Sequence, residues 1–335
     1  MPDTPPARAE DSRPEPGRRG REGQKEFRIL ALSGGGYLGL YAAAVLAGRE
    51  EQAGEPLGRR FDLVAGTSVG GILAAAVALE VPLREIVELF RSQGTEVFSQ
   101  RGLPGNTVSR LLDMSRSVLG PKYSGAPLRA ALQARLGERT FAQAPHALVL
   151  PAVNVTRSLT KVFKTPHAPA SLGDGAVSIL DATLATCAAP AYFPAVRIGE
   201  DLYADGGLFA VAPDQVALHE AQHFMGVDVA RVRMLSVGTA TMGYQPAHGV
   251  DDDAGAVGWL ADGRLVMTLI AVQQQHVQAM MEDRLGDRYL RLDAAWPTQA
   301  GLGIDVATPQ AAQVLLGLAE DTLRDTVGQR LRGFI

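Results

Sequence analysis

Twice near its start the chain runs through a short apolar stretch, breaks on glycines and resumes in helix-forming residues, and this repetition limits the possible folds more than any other feature. Phe27 to Leu32 (FRILAL) ends at Ser33-Gly34-Gly35-Gly36 and continues into the Leu- and Ala-containing stretch Tyr37 to Ala47. Phe61 to Ala65 (FDLVA) ends at Gly66-Thr67-Ser68-Val69-Gly70-Gly71 and continues into Ile72 to Leu79. Each is a strand, a glycine turn and a helix. Two such units in succession require parallel strands joined by right-handed crossovers, which places the chain in the α/β class.

The rest of the chain follows in the same manner. Pro82 to Arg91 has apolar residues at Leu83, Ile86, Val87, Leu89 and Phe90 behind a proline suited to the first helical position. Ser99 to Gly125, rich in Gly, Ser and Arg, reads as a mobile insertion. Leu128 to Leu136 predicts a helix. Ala147 to Val155 and Leu159 to Lys164 predict strands paired across Thr156-Arg157-Ser158, and Asp181 to Cys187 a short helix capped by Asp181. A strand ending at Tyr203-Ala204-Asp205-Gly206-Gly207 leads into a helix from Pro213 to Phe224. Further on come a strand at Arg233 to Val237, a long helix within Val257 to Leu285, a strand at Tyr289 to Asp293 and a closing helix at Pro309 to Leu331. Met1 to Glu26 mixes Pro, Gly and charge with hardly an apolar side chain, so it reads as a disordered tail ahead of a single domain at 27–335.

Composition removes several functional classes. The 335 residues are 46% hydrophobic, enough for a large core. A net charge of −4 argues against binding to a nucleic acid polymer through a basic surface. The one cysteine, Cys187, sits in an apolar run and reads as an inert buried thiol, so neither a disulfide scaffold nor a thiolate metal centre is expected. Ile29 to Gly48 is uncharged over a membrane-spanning length, but its glycines split it into two short elements. A cytoplasmic protein, at most peripheral to a membrane, is the expectation.

The chemistry gathers at three loops. Gly66-Thr67-Ser68-Val69-Gly70 fits G-x-S-x-G, which exposes a serine on a tight strand-to-helix turn beside a helix N-terminus that favours developing negative charge. Gly34-Gly35-Gly36-Tyr37-Leu38-Gly39 admits two readings. Gly34, Gly36 and Gly39 spell a dinucleotide fingerprint, but the second strand ends in Ala65-Gly66 without the acid that would hold a ribose. Alternatively, consecutive glycines present backbone N–H groups to an oxyanion beside Ser68. A nucleophilic serine also needs a base. Asp205, in a glycine-permitted turn after a strand, is a candidate; an ordinary Asp-Gly turn is the bland alternative. None of the six histidines has a supporting context, although a Ser-Asp-His order with His219, His223, His248 or His276 is permitted.

With glycine loop, serine turn and Asp-Gly-Gly in this order, the chain from Arg28 to Ala240 resembles the patatin-like phospholipases. The resemblance implies a three-layer α/β/α fold with a mostly parallel central sheet and a lipid acyl hydrolase of phospholipase A type. By position it assigns Ser68 as nucleophile, Asp205 as base, and the amides of Gly35 and Gly36, with Tyr37, as oxyanion hole. It requires no histidine, metal or cofactor. Gly35-Gly36-Tyr37, the stretch Lys161 to His167 (KVFKTPH) and the stretch Ala188 to Pro194 (AAPAYFP) resemble more closely the bacterial patatin-like effectors of cyclic-oligonucleotide antiphage signalling. That likeness implies a membrane phospholipid substrate, a cyclic di- or trinucleotide activator, and a protein that works at the inner membrane, with a homo-oligomer permitted.

Two positions depart from the family text. Leu38 stands where an arginine is common, and Val211-Ala212 stands where two asparagines commonly precede the proline, which removes side chains that would orient the Asp205 turn. The rivals are an α/β-hydrolase with a histidine triad and a nucleotide-binding protein without hydrolysis. Three apolar or charged groups remain to be placed. Ala189 to Phe193 would line an acyl pocket or fill core. Leu265, Val266, Leu269, Ile270, Val277, Met280 and Met281 would form a core face or meet a membrane or second subunit. Lys161, Lys164 and His167 would lie on a solvated hairpin or contact a phosphate.

Overall fold

A computed structural model describes residues 25–98, 120–245, 259, 263–297, 301–325 and 333–335. Its strands are β1 (Phe27–Leu32), β2 (Leu63–Gly66), β3 (Leu148–Asn154), β4 (Leu159–Lys164), β5 (Val196–Ile198), β6 (Asp201–Asp205), β7 (Val232–Val237) and β8 (Tyr289–Leu292). The main helices are α1 (Gly39–Ala53), α2 (Val69–Ala78), α3 (Leu83–Val97), α4 (Ala126–Leu136), α5 (Ile179–Thr186), α6 (Asp214–His219), α7 (Arg264–Leu285) and α8 (Pro309–Asp325).

One sheet holds all eight strands, in the order β5-β6-β3-β2-β1-β7-β8 with β4 on β3. The pairs β3–β2, β2–β1, β1–β7 and β7–β8 are parallel, whereas β4 and β6 pair antiparallel with β3, as β5 does with β6. Strand periodicity sorts the core into two faces. Ile29 and Ala31 of β1 pack with Ala217, Leu218, Met281 and Leu285 of α6 and α7. Leu30 and Leu32 pack on the other face with α1, α2, α3 and α5. Helices therefore cover both sides of a mostly parallel sheet, the three-layer α/β/α architecture expected from the sequence.

One detail of the topology decides where the loops meet. Val149 pairs with both Ala65 of β2 and Lys164 of β4, and Ala152 pairs with both Asp205 of β6 and Lys161 of β4. Strands β2 and β6 thus share one edge of β3, run toward each other, and end face to face near Pro151. Proline is tolerated there because its nitrogen faces the gap between the two strands, where no ladder bond is lost.

Several boundaries differ from the sequence reading. Helix α5 begins at Ile179, and Ser178, not Asp181, is its cap: the Ser178 hydroxyl accepts from the Asp181 N–H at 3.3 Å, while Asp181 pairs with Arg129. Pro82 is the N-cap of α3, which extends to Val97. The helix expected over Pro213 to Phe224 is α6 followed by a π-helical turn, Glu220–Phe224. The short strand β5 was not anticipated. Residues 1–24 of the tail, most of the Ser99 to Gly125 insertion, the start of the Val257 to Leu285 helix and the end of the Pro309 to Leu331 helix lie outside the described residues. Among those described, no helix is long and apolar enough to cross a membrane.

Candidate active site

The serine turn is strained. Ser68, between β2 and α2, has φ 55° and ψ −126°, a conformation that costs a residue with a Cβ on the order of 1–3 kcal/mol. Its surroundings hold it there. The Ser68 N–H donates to Thr186 Oγ1 at 3.1 Å, and the Thr186 hydroxyl donates to the Pro151 carbonyl in the gap between β2 and β6. The turn is tight enough that a Cβ at Gly66 would lie 2.0 Å from the Gly70 carbonyl oxygen, and one at Gly70 would lie 2.1 Å from that of Leu32. Both motif glycines are therefore required by close backbone approach. Ser68 itself remains partly exposed.

Asp205 closes β6 opposite Ala152 and is 5% exposed. Its Oδ1 accepts from the Gly207 N–H at 2.7 Å, and the Ser68 hydroxyl lies near enough to favour its charged form. Burial pushes the carboxyl up from its ordinary value to about 6, and the bond from Gly207 and the nearby Ser68 hydroxyl only partly oppose the shift. The group is a carboxylate at neutral pH, yet far more basic than one in water. Gly206 packs so closely on Pro151 that a Cβ would lie 2.2 Å from the Pro151 carbonyl oxygen.

The glycine loop lies directly against this pair. A Cβ on Gly34 would stand 3.2 Å from that of Ser68, and the Gly34 N–H donates to the Val211 carbonyl at 2.8 Å. Gly36 has φ 59°. The expected contribution of the Tyr37 amide needs correction: its N–H donates to the Ile304 carbonyl at 2.7 Å, so it is already engaged in holding the loop to the 301–308 segment. Among the described residues no backbone acceptor faces the Gly35 and Gly36 N–H groups, which leaves these two as the available donors. Leu38 is fully buried in the core, and Gly39 begins α1.

Ser68, Asp205, Gly34, Gly35 and Gly36 all line one apolar cavity of about 310 Å³. Ala189, Pro190, Tyr192 and Phe193 line it too, as do Phe90 and Phe98. Cys187 is a buried wall residue whose thiol is pushed up by burial and by Asp205. None of the described histidines lines the cavity, and His248 lies outside the described residues. His219 and His223 instead stack on each other, His146 meets Glu80, and His167 meets Glu220. A histidine triad finds no support in this arrangement.

Two other expectations change. Lys161, Lys164 and His167 are engaged within the protein rather than held out to solvent or a phosphate: Lys161 Nζ meets Asp174 at 2.6 Å, and Lys164 Nζ and His167 Nε2 meet Glu220 at 2.9 Å. The apolar stripe of α7 divides. Ile270 and Met281 are buried, whereas Leu269 and Met280 are exposed.

Some residues that shape the site left no trace in the sequence reading. Thr186 lies in an apolar run that does not mark it out, and Gln273 and Gln274 are marked only as part of the polar run Gln273-Gln274-Gln275-His276 within the α7 stripe. Ile304 is not marked at all.

Sheet order, serine turn and glycine loop together define an α/β protein with its candidate site where the ends of β1, β2 and β6 converge. A family model described as patatin-like phospholipase matches residues 30–218. The chain is 38% identical over 306 residues to a cGAMP-activated phospholipase of Pseudomonas aeruginosa, covering 89% of this chain and 86% of that relative. It is 34% identical over 318 residues to one of Vibrio cholerae, covering 87% and 88%, and 32% identical over 314 residues to one of Escherichia coli, covering 86% of each. The chain belongs to the patatin-like phospholipase family.

Proposed function

We propose that the protein is a lipid acyl hydrolase of phospholipase A type, working through Ser68 and Asp205 and switched on by a cyclic nucleotide in antiphage defence. The observation that carries the catalytic part is the placement of the Ser68 hydroxyl beside a buried carboxylate, both of them lining one apolar cavity. Asp205 takes the hydroxyl proton as Ser68 Oγ attacks the ester carbonyl. Charge collecting on the carbonyl oxygen meets the N–H groups of Gly35 and Gly36 and the first turn of α2, each donor contributing about 3 kcal/mol to lowering the barrier. The lysolipid leaves with the proton from Asp205. Water, deprotonated by Asp205, then cleaves the acyl-serine and restores both groups. The acyl chain rests among Phe90, Phe98, Tyr192 and Phe193.

Activation by a nucleotide is supported by the three cGAMP-activated relatives. Work at a membrane surface is supported by Leu208 and Leu269, which line the cavity yet are 55% and 49% exposed.

The test is release of fatty acid from phosphatidylglycerol–phosphatidylethanolamine vesicles, with and without cGAMP and a panel of other cyclic di- and trinucleotides. Hydrolysis should depend on one nucleotide and vanish in Ser68→Ala. Equal turnover with and without every nucleotide would defeat the activation half of the proposal, and turnover retained in Ser68→Ala would defeat the catalytic half.

A further inference from the structure

Helix α7 carries two adjacent glutamines that reach different loops. Gln273 Nε2 donates to the Gly207 carbonyl at 3.2 Å, and its Oε1 accepts from the Val211 N–H at 3.2 Å. Gln274 Nε2 donates to the Gly34 carbonyl at 3.3 Å, while its Oε1 accepts from the Thr241 hydroxyl at 3.2 Å and from the Arg291 guanidinium. Because both of those partners are donors toward Oε1, the amide has one workable orientation, with its NH2 toward the glycine loop. Gln274 is 3% exposed, and the Arg291 side chain, 4% exposed, is bonded also to Ser236 and Asp293. The two loops are themselves joined, since the Val211 carbonyl accepts the Gly34 N–H.

We infer that Gln273 and Gln274 are positioning residues that tie the Asp205 loop and the glycine loop to one rigid helix. The inference rests on the proposed roles of those loops. Consecutive helix residues project about 100° apart, which suits one pair to two targets. Gln273 also accounts for the departure at Val211-Ala212. Neither of these residues has an amide side chain to brace the turn, and Gln273 supplies a donor and an acceptor to it from another element. Gly207, whose carbonyl Gln273 holds, is the residue whose N–H holds Asp205. Gly34, whose carbonyl Gln274 holds, leads directly into the Gly35 and Gly36 donors. A displacement of α7 would therefore move base and oxyanion donors together.

The test uses Gln273→Met and Gln274→Met in the full-length protein, each matching the side chain in length without its amide. Amide hydrogen exchange, read by mass spectrometry, should quicken in 205–212 for the first variant and in 33–38 for the second, with the β1 and β7 core unchanged. With p-nitrophenyl butyrate as substrate, each should lose kcat by about 10- to 100-fold while KM stays within about twofold, the signature of misplaced reacting groups. If Gln274→Met does not fold, Gln274→Glu serves in its place, since it keeps the acceptor for Arg291 and Thr241 but has no donor for Gly34. Wild-type exchange in both loops, or acceleration spread evenly through the sheet, would overturn the assignment. A wild-type protein that cleaves no ester in the presence of any of the cyclic nucleotides would sink the hydrolase reading alone, because the exchange measurement still decides the clamp.

Discussion

Two carboxyl groups are buried almost equally in this protein, yet their affinities for a proton shift in opposite directions. Asp205, 5% exposed at the meeting of β2 and β6, faces a hydroxyl and an amide, and its carboxyl rises to about 6. Glu220, 2% exposed in the π-helical turn after α6, also feels burial pushing it upward, but hydrogen bonds from His167 and Lys164 outweigh this and hold it below the ordinary carboxylate range. Lys164 adds its charge and lies 3.4 Å from the Phe224 ring centre. Burial alone does not make a base. What separates the two is the nearest cation, present for Glu220 and lacking among the contacts of Asp205.

Neutralising each acid in turn should have unequal consequences. Asp205→Asn should reduce ester turnover by about 10³-fold or more, since the serine loses its proton acceptor while the Gly207 N–H keeps an oxygen to bond. Glu220→Gln should leave turnover per folded molecule near wild type but cost on the order of 3 kcal/mol of stability in urea unfolding, because Lys164 is left buried without its counter-charge. Equal turnover losses in the two variants would show that the acids are not functionally distinct.

The comparison also has a pH dependence. Below about pH 6 Asp205 is protonated, so kcat/KM should fall about tenfold per pH unit on the acid side, with a midpoint near that value. The same shift works against folding at neutral pH. A buried carboxyl whose folded value exceeds its unfolded one stabilises the fold only in its protonated form, and this contribution is lost as pH rises through about 6. Asp205→Asn should therefore be more stable than wild type by on the order of 2 kcal/mol at pH 7, a difference that shrinks toward about pH 4. A wild-type protein of equal stability would show that the carboxylate is solvated or paired in solution. The smallest effect expected is at the serine: Ser68→Gly, freed of Cβ strain, should exceed Ser68→Ala in stability by about 1 kcal/mol. Equal melting of the two would remove strain from the account of the turn.

Much of the fold could be read locally. The glycine turns after β1 and β2 depend on residues within a few positions of one another, and the apolar alternation that sorts Ile29 and Ala31 from Leu30 and Leu32 is a property of the strand itself. The pairing of Lys164 with Glu220 could not be read this way, since 56 residues separate the partners and nothing in KVFKTPH indicates which acid will neutralise it. For the same reason the Tyr37 amide looked available until Ile304, remote in sequence, proved to accept it. The Asp181 cap failed differently: Ser178 is as good a cap and lies three residues earlier, so local rules allowed both.

Backbone sterics and short-range hydrogen bonds act over a few residues, so the elements and the turns follow from the local chain: a serine on a glycine elbow, a run of glycine amides and an aspartate ending a strand. Only the tertiary structure decided that β2 and β6 run toward each other along one edge of β3, that Thr186 and two glutamines of α7 hold the loops, and that no described cation reaches Asp205. Contacts of that kind join segments far apart in the chain, and the field at a buried carboxylate is the sum over whatever those contacts bring near.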